Sequence, residues 1–377
     1  MTDPRPILFI VDAAIDVTGA LIAAASQARL LDDAVRTVLV LPVGHRVPAE
    51  RLTAFYDVIT LPIVPLRKSV GGVLGYLPAL LVSSWQLNSA MKLRSCTRLQ
   101  LNDFNFLYGP VLRRLGFRGR IATFVRIDPA RYGTIGTVWL RAARSSSDSI
   151  VAVSRFIQSR LDPRFAARLI YAHVEEEAPP ERYPDRAQPV FLFVGNYIEG
   201  KGQEDAIAAF QQIADRYPRA RLRLIGSDMG LDRNRAFRAR IEGVARNGQG
   251  AERIEFRGPS DDLTEFYRAS FAALNFSHSE SFSMTCLEAA FAGLPLIATR
   301  CGGPEEIVEH EATGFLVPVG DVAGMAARMA WLLDHPTEAA AMGQNGHALV
   351  VTRFAPAAAR DLYLSLFDVD ADPKRIS

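Results

Sequence analysis

The sequence predicts an α/β protein made of two Rossmann-like domains, each built on a parallel sheet. Three observations predict it. The chain has 377 residues, too many for one ordinary hydrophobic core. Apolar strand-like runs alternate with helical stretches from end to end, which implies parallel sheets covered by helices on both faces. The stretch Glu175–Pro189, with three consecutive glutamates and several prolines, reads as a linker near the middle. The domains are therefore expected at 1–185 and 186–354.

The elements follow in order. The first half supplies the strands ILFIVDA, RTVLVLP, DVITLPI, RLQLND, RIATFVRID and SIVAVS, with a helix after Gly19. The second half supplies PVFLFVG, RLRLIGS, RIEFRG, AALNFS, LPLIAT and GFLVPV, with helices over Gly202–Tyr217, Arg233–Arg246 and Val322–Leu333. A last apolar-periodic helix, Pro356–Phe367, follows the second domain. The longest uncharged stretch, Ser69–Ala90, is broken by Gly71, Gly72, Gly75 and Pro78, too polar for a membrane span. It is expected as a partly buried helix; the alternative is a helix lying on a membrane, with Arg67 and Lys68 before it and Lys92, Arg94 and Arg98 after it.

Hydrophobic residues make up 49% of the chain and charged residues 22%, a globular balance. Cys96, Cys286 and Cys301 form no metal-type spacing, and so few cysteines fit a reducing cytoplasm. The opening MTDPRPILFIVDAA lacks a basic leader and is read as a first strand, not a signal peptide. Net charge is +2, unevenly spread: residues 1–188 carry 24 Lys/Arg against 16 Asp/Glu, and residues 189–377 carry 19 against 25. A basic first half suits an anionic membrane face or a phosphorylated acceptor, and equally a merely solvated surface.

Open α/β sheets bind ligands beyond the carboxyl ends of their strands, so functional residues are sought there. The segment FLFVGNYIEGKGQEDAIAAF is a strand, a glycine-rich loop and a helix. Gly195, Gly200 and Gly202 let backbone approach an anion, and Lys201 adds a compact positive charge. Gly195 to Lys201 also spells the P-loop pattern, but Gly202 stands where that pattern needs Ser or Thr for Mg²⁺, so a P-loop ATPase is kept as an alternative. The segment ALNFSHSESFSMTCLEAAFAGLPLIAT is a strand, a polar loop and a helix with Ser283 as its cap. Amides near Phe282, Ser283 and Met284 sit at the positive end of that helix, where a diphosphate gains charge-assisted hydrogen bonds. Glu280 in the loop could face a sugar, and Glu288 on the helix could accept from two ribose hydroxyls.

On these residues the second half resembles the C-terminal domain of the retaining GT-B glycosyltransferases of family 4. They carry E-x7-E, matched here as Glu280-SFSMTCL-Glu288, and the likeness extends to the VGxxxxxKG turn and to CGGPEEIVEHEATGFLV. The resemblance implies a GT-B fold with an interdomain cleft, and residues 355–377 crossing back onto the first domain. It implies that Lys201 holds the donor phosphates, Glu288 the ribose and Glu280 the reacting sugar. Gly195, Asn196, Gly226 and the amides of Phe282–Thr285 would line the donor site, and Gly19 would lie close to the diphosphate. Three positions depart from the family: Asn196 replaces an arginine, FVRID replaces a histidine and brings Arg126 and Asp128, and Ala172-His173 replaces Asn-Gly. Arg126 and Asp128 are the candidates for orienting sugar or acceptor, with Glu280 and Lys201 as the catalytic pair.

The expected reaction is sugar transfer from a nucleotide-diphosphate sugar to a saccharide or lipid-linked saccharide hydroxyl, with retention, in bacterial polysaccharide or glycolipid assembly. No cofactor, metal or nucleic acid is expected, and the place is the cytoplasm, with peripheral membrane contact through the basic half. A donor-binding protein without turnover is the alternative that the three departures motivate; a sugar-nucleotide epimerase or a phosphorylase would share the fold.

Overall fold

The structure is a computed structural model that describes residues 3–64, 70–174, 187–260 and 262–369, and backbone alone for 70–75. Most of the expected linker, the boundary drawn at 185/186, and Arg67 and Lys68 lie outside the described residues. The chain divides into two compact units, Met1–Glu175 with Pro356–Ser377, and Glu176–Ala355.

The first unit holds a seven-stranded parallel sheet: β1 (Ile7–Val11), β2 (Arg36–Pro42), β3 (Asp57–Leu61), β4 (Arg98–Leu101), β5 (Arg120–Val125), β6 (Ser149–Ala152) and β7 (Arg168–Leu169). Their order is β3-β2-β1-β4-β5-β6-β7. The second unit holds β8 (Val190–Val194), β9 (Arg221–Ile225), β10 (Ile254–Arg257), β11 (Ala272–Asn275), β12 (Leu296–Thr299) and β13 (Gly314–Val317), in the order β10-β9-β8-β11-β12-β13. Every pair is parallel. Strands such as VFLFV and AALN are almost wholly buried because helices cover both faces.

The helices of the first unit are α1 (Gly19–Leu30), α2 (Ala49–Leu52), α3 (Val70–Leu93), α4 (Tyr108–Arg114), α5 (Gly133–Ser146) and α6 (Arg155–Ser159). Those of the second are α7 (Gln203–Ile213), α8 (Asp232–Arg246), α9 (Thr264–Ala269), α10 (Met284–Phe291), α11 (Val322–Asp334) and α12 (Pro336–Arg353). The last helix, α13 (Pro356–Leu366), belongs to the first unit. Its Tyr363 stacks on Phe124 at 6.3 Å, and Arg360 pairs with Asp33 of the α1–β2 turn at 2.8 Å. The uncharged stretch is the helix α3, and it turns Tyr76, Leu80, Leu87 and Met91 into the core at helical spacing.

In each sheet the chain builds outward in one direction, then returns to the far side of its first strand. The direction switches between β1 and β4 in one unit and between β8 and β11 in the other. Such a switch leaves a crevice at the carboxyl ends of two neighbouring strands, because their following connections diverge.

Two glycines shape the crevice of the second unit. Gly202 caps α7 with φ +89°, and a Cβ there would stand 2.1 Å from the Phe276 carbonyl oxygen. At Gly226 a Cβ would stand 2.0 Å from the Gly195 carbonyl oxygen, so the loops after β8 and β9 touch backbone to backbone. Gly202→Ala should therefore lower the stability of this unit by about 1–3 kcal/mol in urea denaturation. Gly243→Ala, in the interior of α8 with nothing within 4 Å of the new methyl group, should instead raise it by about 0.5–1 kcal/mol.

Candidate functional site

The crevice of the second unit gathers the charged residues picked out from the sequence. Lys201 leaves the loop after β8, and Glu280 leaves the loop after β11. The Lys201 ammonium donates to Glu280 Oε1 at 2.7 Å. The Ser277 hydroxyl donates to the same oxygen at 2.8 Å. Glu280 also fixes its own backbone: its N–H donates to the Cys301 carbonyl at 3.2 Å, and its carbonyl accepts from Gly303 at 2.8 Å. The carboxylate is only 16% exposed, against 35% for the lysine side chain, so Glu280 is a fixed group and not a solvated loop residue. A pair this accessible adds about 0–1 kcal/mol to stability; its effect is to hold a cation and a carboxylate at one place.

The helix α10 starts beside them. Ser283 is its cap and accepts from the Cys286 N–H at 3.3 Å. Its backbone sits at φ +89°, ψ +88°, a conformation that a non-glycine residue holds only under constraint. The constraint comes from Asn275 at the end of β11, whose amide donates to Ser283 Oγ at 2.9 Å and to Thr285 Oγ1 at 3.4 Å. Phe282 packs edge-on against Phe354 at 5.5 Å, and Met284 opens the helix. Glu288 lies one turn beyond Thr285 on the same side of α10, where its Oε2 accepts from the Tyr267 hydroxyl at 2.9 Å. Burial, and then the charge of Glu288, holds Tyr267 well above its ordinary value, so it remains a donor. Burial also pushes Cys286 up to about 12 and Cys301 up to about 11. Neither thiol is a nucleophile near neutral pH.

Asn196 follows Gly195 in the loop after β8. Its Oδ1 accepts from the Ser227 N–H at 3.3 Å, and its carbonyl accepts from Gln203 at 2.8 Å. The amide ties the β8 loop to the β9 loop, a task an arginine could not perform as an acceptor. His278 is exposed and lies 3.2 Å from Asp205.

The switch point of the first unit carries a buried polar cluster. Asp12 follows β1, Asn102 and Asp103 follow β4, and Arg126 follows β5. Asn102 donates to Asp12 Oδ2 and accepts from Arg126 Nε at 2.9 Å. Asp103 Oδ1 accepts from the N–H groups of Phe104 at 2.8 Å and Arg126 at 3.3 Å. Below them Gln27 and Gln100 exchange amide hydrogen bonds at 2.8 and 2.9 Å. Arg126 lies over the Phe124 ring at 4.9 Å, and its Nη2 has no hydrogen-bond partner among the described residues. Burial lowers the Arg126 pKa, raises that of Asp12 and brings Asp103 up to about 7. Gly19 is the first residue of α1, behind the Thr18 cap. Asp128 caps the turn Pro129–Tyr132, its Oδ1 accepting from Ala130 at 2.9 Å.

Residues 174–348 match the family described as glycosyl transferases group 1. The match runs through nearly all of the second unit, which is similar to that family. N-acetyl-alpha-D-glucosaminyl L-malate synthase of Bacillus anthracis is 26% identical over 228 residues, 57% of this chain and 58% of that protein. The lipopolysaccharide core biosynthesis glycosyltransferase LpsD of Rhizobium meliloti is 31% identical over 195 residues, 51% of this chain and 54% of that protein. The chain thus spans a little over half the length of these relatives. Among solved structures, Anabaena HepE in complex with UDP and glucose superposes with TM-score 0.80 at 17% identity, covering 97% of this chain and 100% of that one. Sucrose-phosphate synthase from Thermosynechococcus elongatus gives 0.78 at 22%, covering 97% and 100%. The fold is GT-B.

Within this GT-B protein the sequence-predicted residues fall into two groups. Gly195, Asn196, Lys201, Gly226, Glu280, Phe282, Ser283, Met284, Thr285 and Glu288 all belong to the second unit, around the carboxyl ends of its strands; Gly19, Arg126 and Asp128 belong to the first. Sequence reading missed Asp12, Asn102 and Asp103, and the partners Tyr267, Asn275 and Ser277. The first three had a signal: both ILFIVD and RLQLND end a buried strand in a carboxylate.

Asp103 predicts a pH dependence. The folded protein keeps its proton to about pH 7, whereas the unfolded chain releases it near 3.8. Between these values the folded state binds more protons, so stability falls as pH rises, by an amount on the order of a few kcal/mol. Asp103→Asn, which keeps the Oδ1 acceptor, should flatten the thermal midpoint between pH 4 and 7; an unchanged slope would place the titration elsewhere.

Proposed function

We propose that the protein is a retaining glycosyltransferase. It moves a sugar from a nucleotide-diphosphate sugar to a hydroxyl of a saccharide or lipid-linked saccharide, in bacterial polysaccharide or glycolipid biosynthesis. The observation that carries this reading is the meeting of Lys201 and Glu280 at the switch point, beside the amino end of α10. It is supported by the match to the group 1 family, by relatives named for glycolipid and polysaccharide chemistry, and by the UDP-sugar complex of the HepE fold neighbour.

In this reading residues 186–354 hold the donor, and residues 1–185 with 355–377 hold the acceptor. The diphosphate rests against the α10 amides of Phe282–Thr285 and against Lys201, while Gly195, Asn196 and Gly226 let it approach the backbone. Glu288, oriented by Tyr267, accepts from the ribose hydroxyls. Before donor arrives, Glu280 neutralises Lys201; phosphate oxygens then take the ammonium, and the freed Glu280 carboxylate accepts from the sugar hydroxyls. The anomeric C–O bond breaks with its electron pair leaving on the diphosphate, and the transition state is oxocarbenium-like. The acceptor oxygen forms the new bond from the same face, and its proton passes to the departing phosphate. Gly19, Arg126 and Asp128 serve the acceptor side. Lys201 and the helix end supply the positive charge, so no metal is needed. The protein works in the cytoplasm, at the inner face of the membrane.

A thermal-shift panel of UDP-, GDP-, ADP- and dTDP-sugars asks for binding without knowledge of the acceptor, and one base should raise the midpoint. In calorimetry, Glu288→Ala and Lys201→Ala should each weaken that donor by roughly tenfold or more, equivalent to about 1.4 kcal/mol. Unchanged affinity in both variants contradicts the site. Nucleoside diphosphate release should persist in EDTA. A second reading, donor binding without turnover, is favoured by Asn196, whose amide is engaged in holding loops; tight binding with no turnover on any acceptor would select it. Mg²⁺-dependent ATP hydrolysis that survives Glu288→Ala would select a P-loop ATPase.

A further inference from the structure

We propose that the α3–α4–α5 face of the first unit docks on an anionic lipid bilayer. The three helices follow one another across the sheet, with α4 packed against both α3 and α5. One side of α3 is buried in the core through Tyr76, Leu80, Leu87 and Met91. Its other side is apolar and open. Leu77, Leu81 and Trp85 recur at four-residue spacing and are 54%, 59% and 62% exposed. Leu93 is 85% exposed at the helix end, and Val138 on α5 is 60% exposed. Aliphatic residues with a tryptophan along one helix face are the composition of an interfacial anchor.

Charge names the occupant. Between Asp57 and Asp148 the chain carries 13 Lys/Arg and only two acidic residues, Asp103 and Asp128. Both are buried at the strand ends. None of the three helices contains an acidic residue, while Lys92, Arg114, Arg141 and Arg144 on them are exposed. At the rim, Asp57 and Asp148 are paired with Arg94 at 3.0 Å and Arg113 at 2.8 Å. The face thus offers apolar side chains bordered by exposed cations, on helices that carry no carboxylate of their own. Two copies of the chain meeting on it would set cation against cation. A nucleic acid would leave the leucine stripe without a partner. An anionic bilayer takes both parts: headgroups meet the cations and the acyl boundary takes Leu77, Leu81 and Trp85. No described helix is long and apolar enough to cross a membrane, so the contact lies in the interface plane. The inference rests on the reading above only in that a lipid-linked acceptor gives the contact its use.

The test uses the full chain, vesicles of phosphatidylcholine with phosphatidylglycerol, and vesicles of phosphatidylcholine alone. The protein should co-sediment with the mixed vesicles and roughly tenfold less with the neutral ones, and high salt should weaken binding. Tryptophan emission should shift to the blue on binding, and Trp85→Phe should remove most of that shift while keeping the binding. Leu81→Glu with Trp85→Glu should abolish sedimentation, and Arg141→Glu with Arg144→Glu should reduce it roughly tenfold. All these side chains are exposed, so thermal midpoint and nucleotide-sugar binding should stay at the wild-type level. No binding to anionic vesicles, equal binding of the glutamate variant, or a dimer in light scattering that the glutamate pair dissolves would each overturn the proposal. Donor binding retained in those cases leaves the catalytic reading standing, so the two failures are separable.

Discussion

Burial of both faces of each parallel sheet is the constraint from which the rest follows. A strand covered on both sides can carry almost nothing but apolar side chains, as VFLFV and AALN do. Polar chemistry is pushed to the strand ends. There the backbone leaves the ladder, and the switch in strand order opens a crevice. Both units obey the same rule. One places Asp12, Asn102, Asp103 and Arg126 at its switch; the other places Lys201, Ser277 and Glu280.

The two crevices differ in their electrostatics. In the second unit a cation and a carboxylate pair at 2.7 Å, in partial contact with solvent, and both stay available to a polar ligand. In the first unit the charges are buried deeply enough that burial raises the Asp103 pKa to about 7 and lowers that of Arg126. The second arrangement suits exchange of one anion for another. The first suits a fixed polar wall whose charge depends on pH.

Backbone geometry at the second crevice shows how closely its loops are drawn together. Gly202 lies against the Phe276 carbonyl and Gly226 against the Gly195 carbonyl, and neither contact leaves room for a side chain. Ser283 holds a left-handed conformation because Asn275 grips its hydroxyl from the end of β11. Strain of this kind persists where surrounding bonds over-determine it. Here those bonds fix the start of α10, and with it the direction of its first amides.

The sequence alone determined the alternation of strands and helices, the apolar strand runs, and the chain positions of the glycine–lysine turn and of Glu280 and Glu288. These are local properties: period, composition and spacing survive in one dimension. Tertiary structure alone decided the partners. Lys201 and Glu280 are 79 residues apart, and Asn102 and Asp12 are 90 apart. Tyr267 on Glu288 and Asn275 on Ser283 left no signature, because tyrosine and asparagine at strand and helix ends serve many ends. The burial of Asp103 and the open side of α3 were equally hidden, since exposure depends on which elements the sheet order brings to cover a residue. A chain records what each residue is; only the folded sheet sets what stands opposite it.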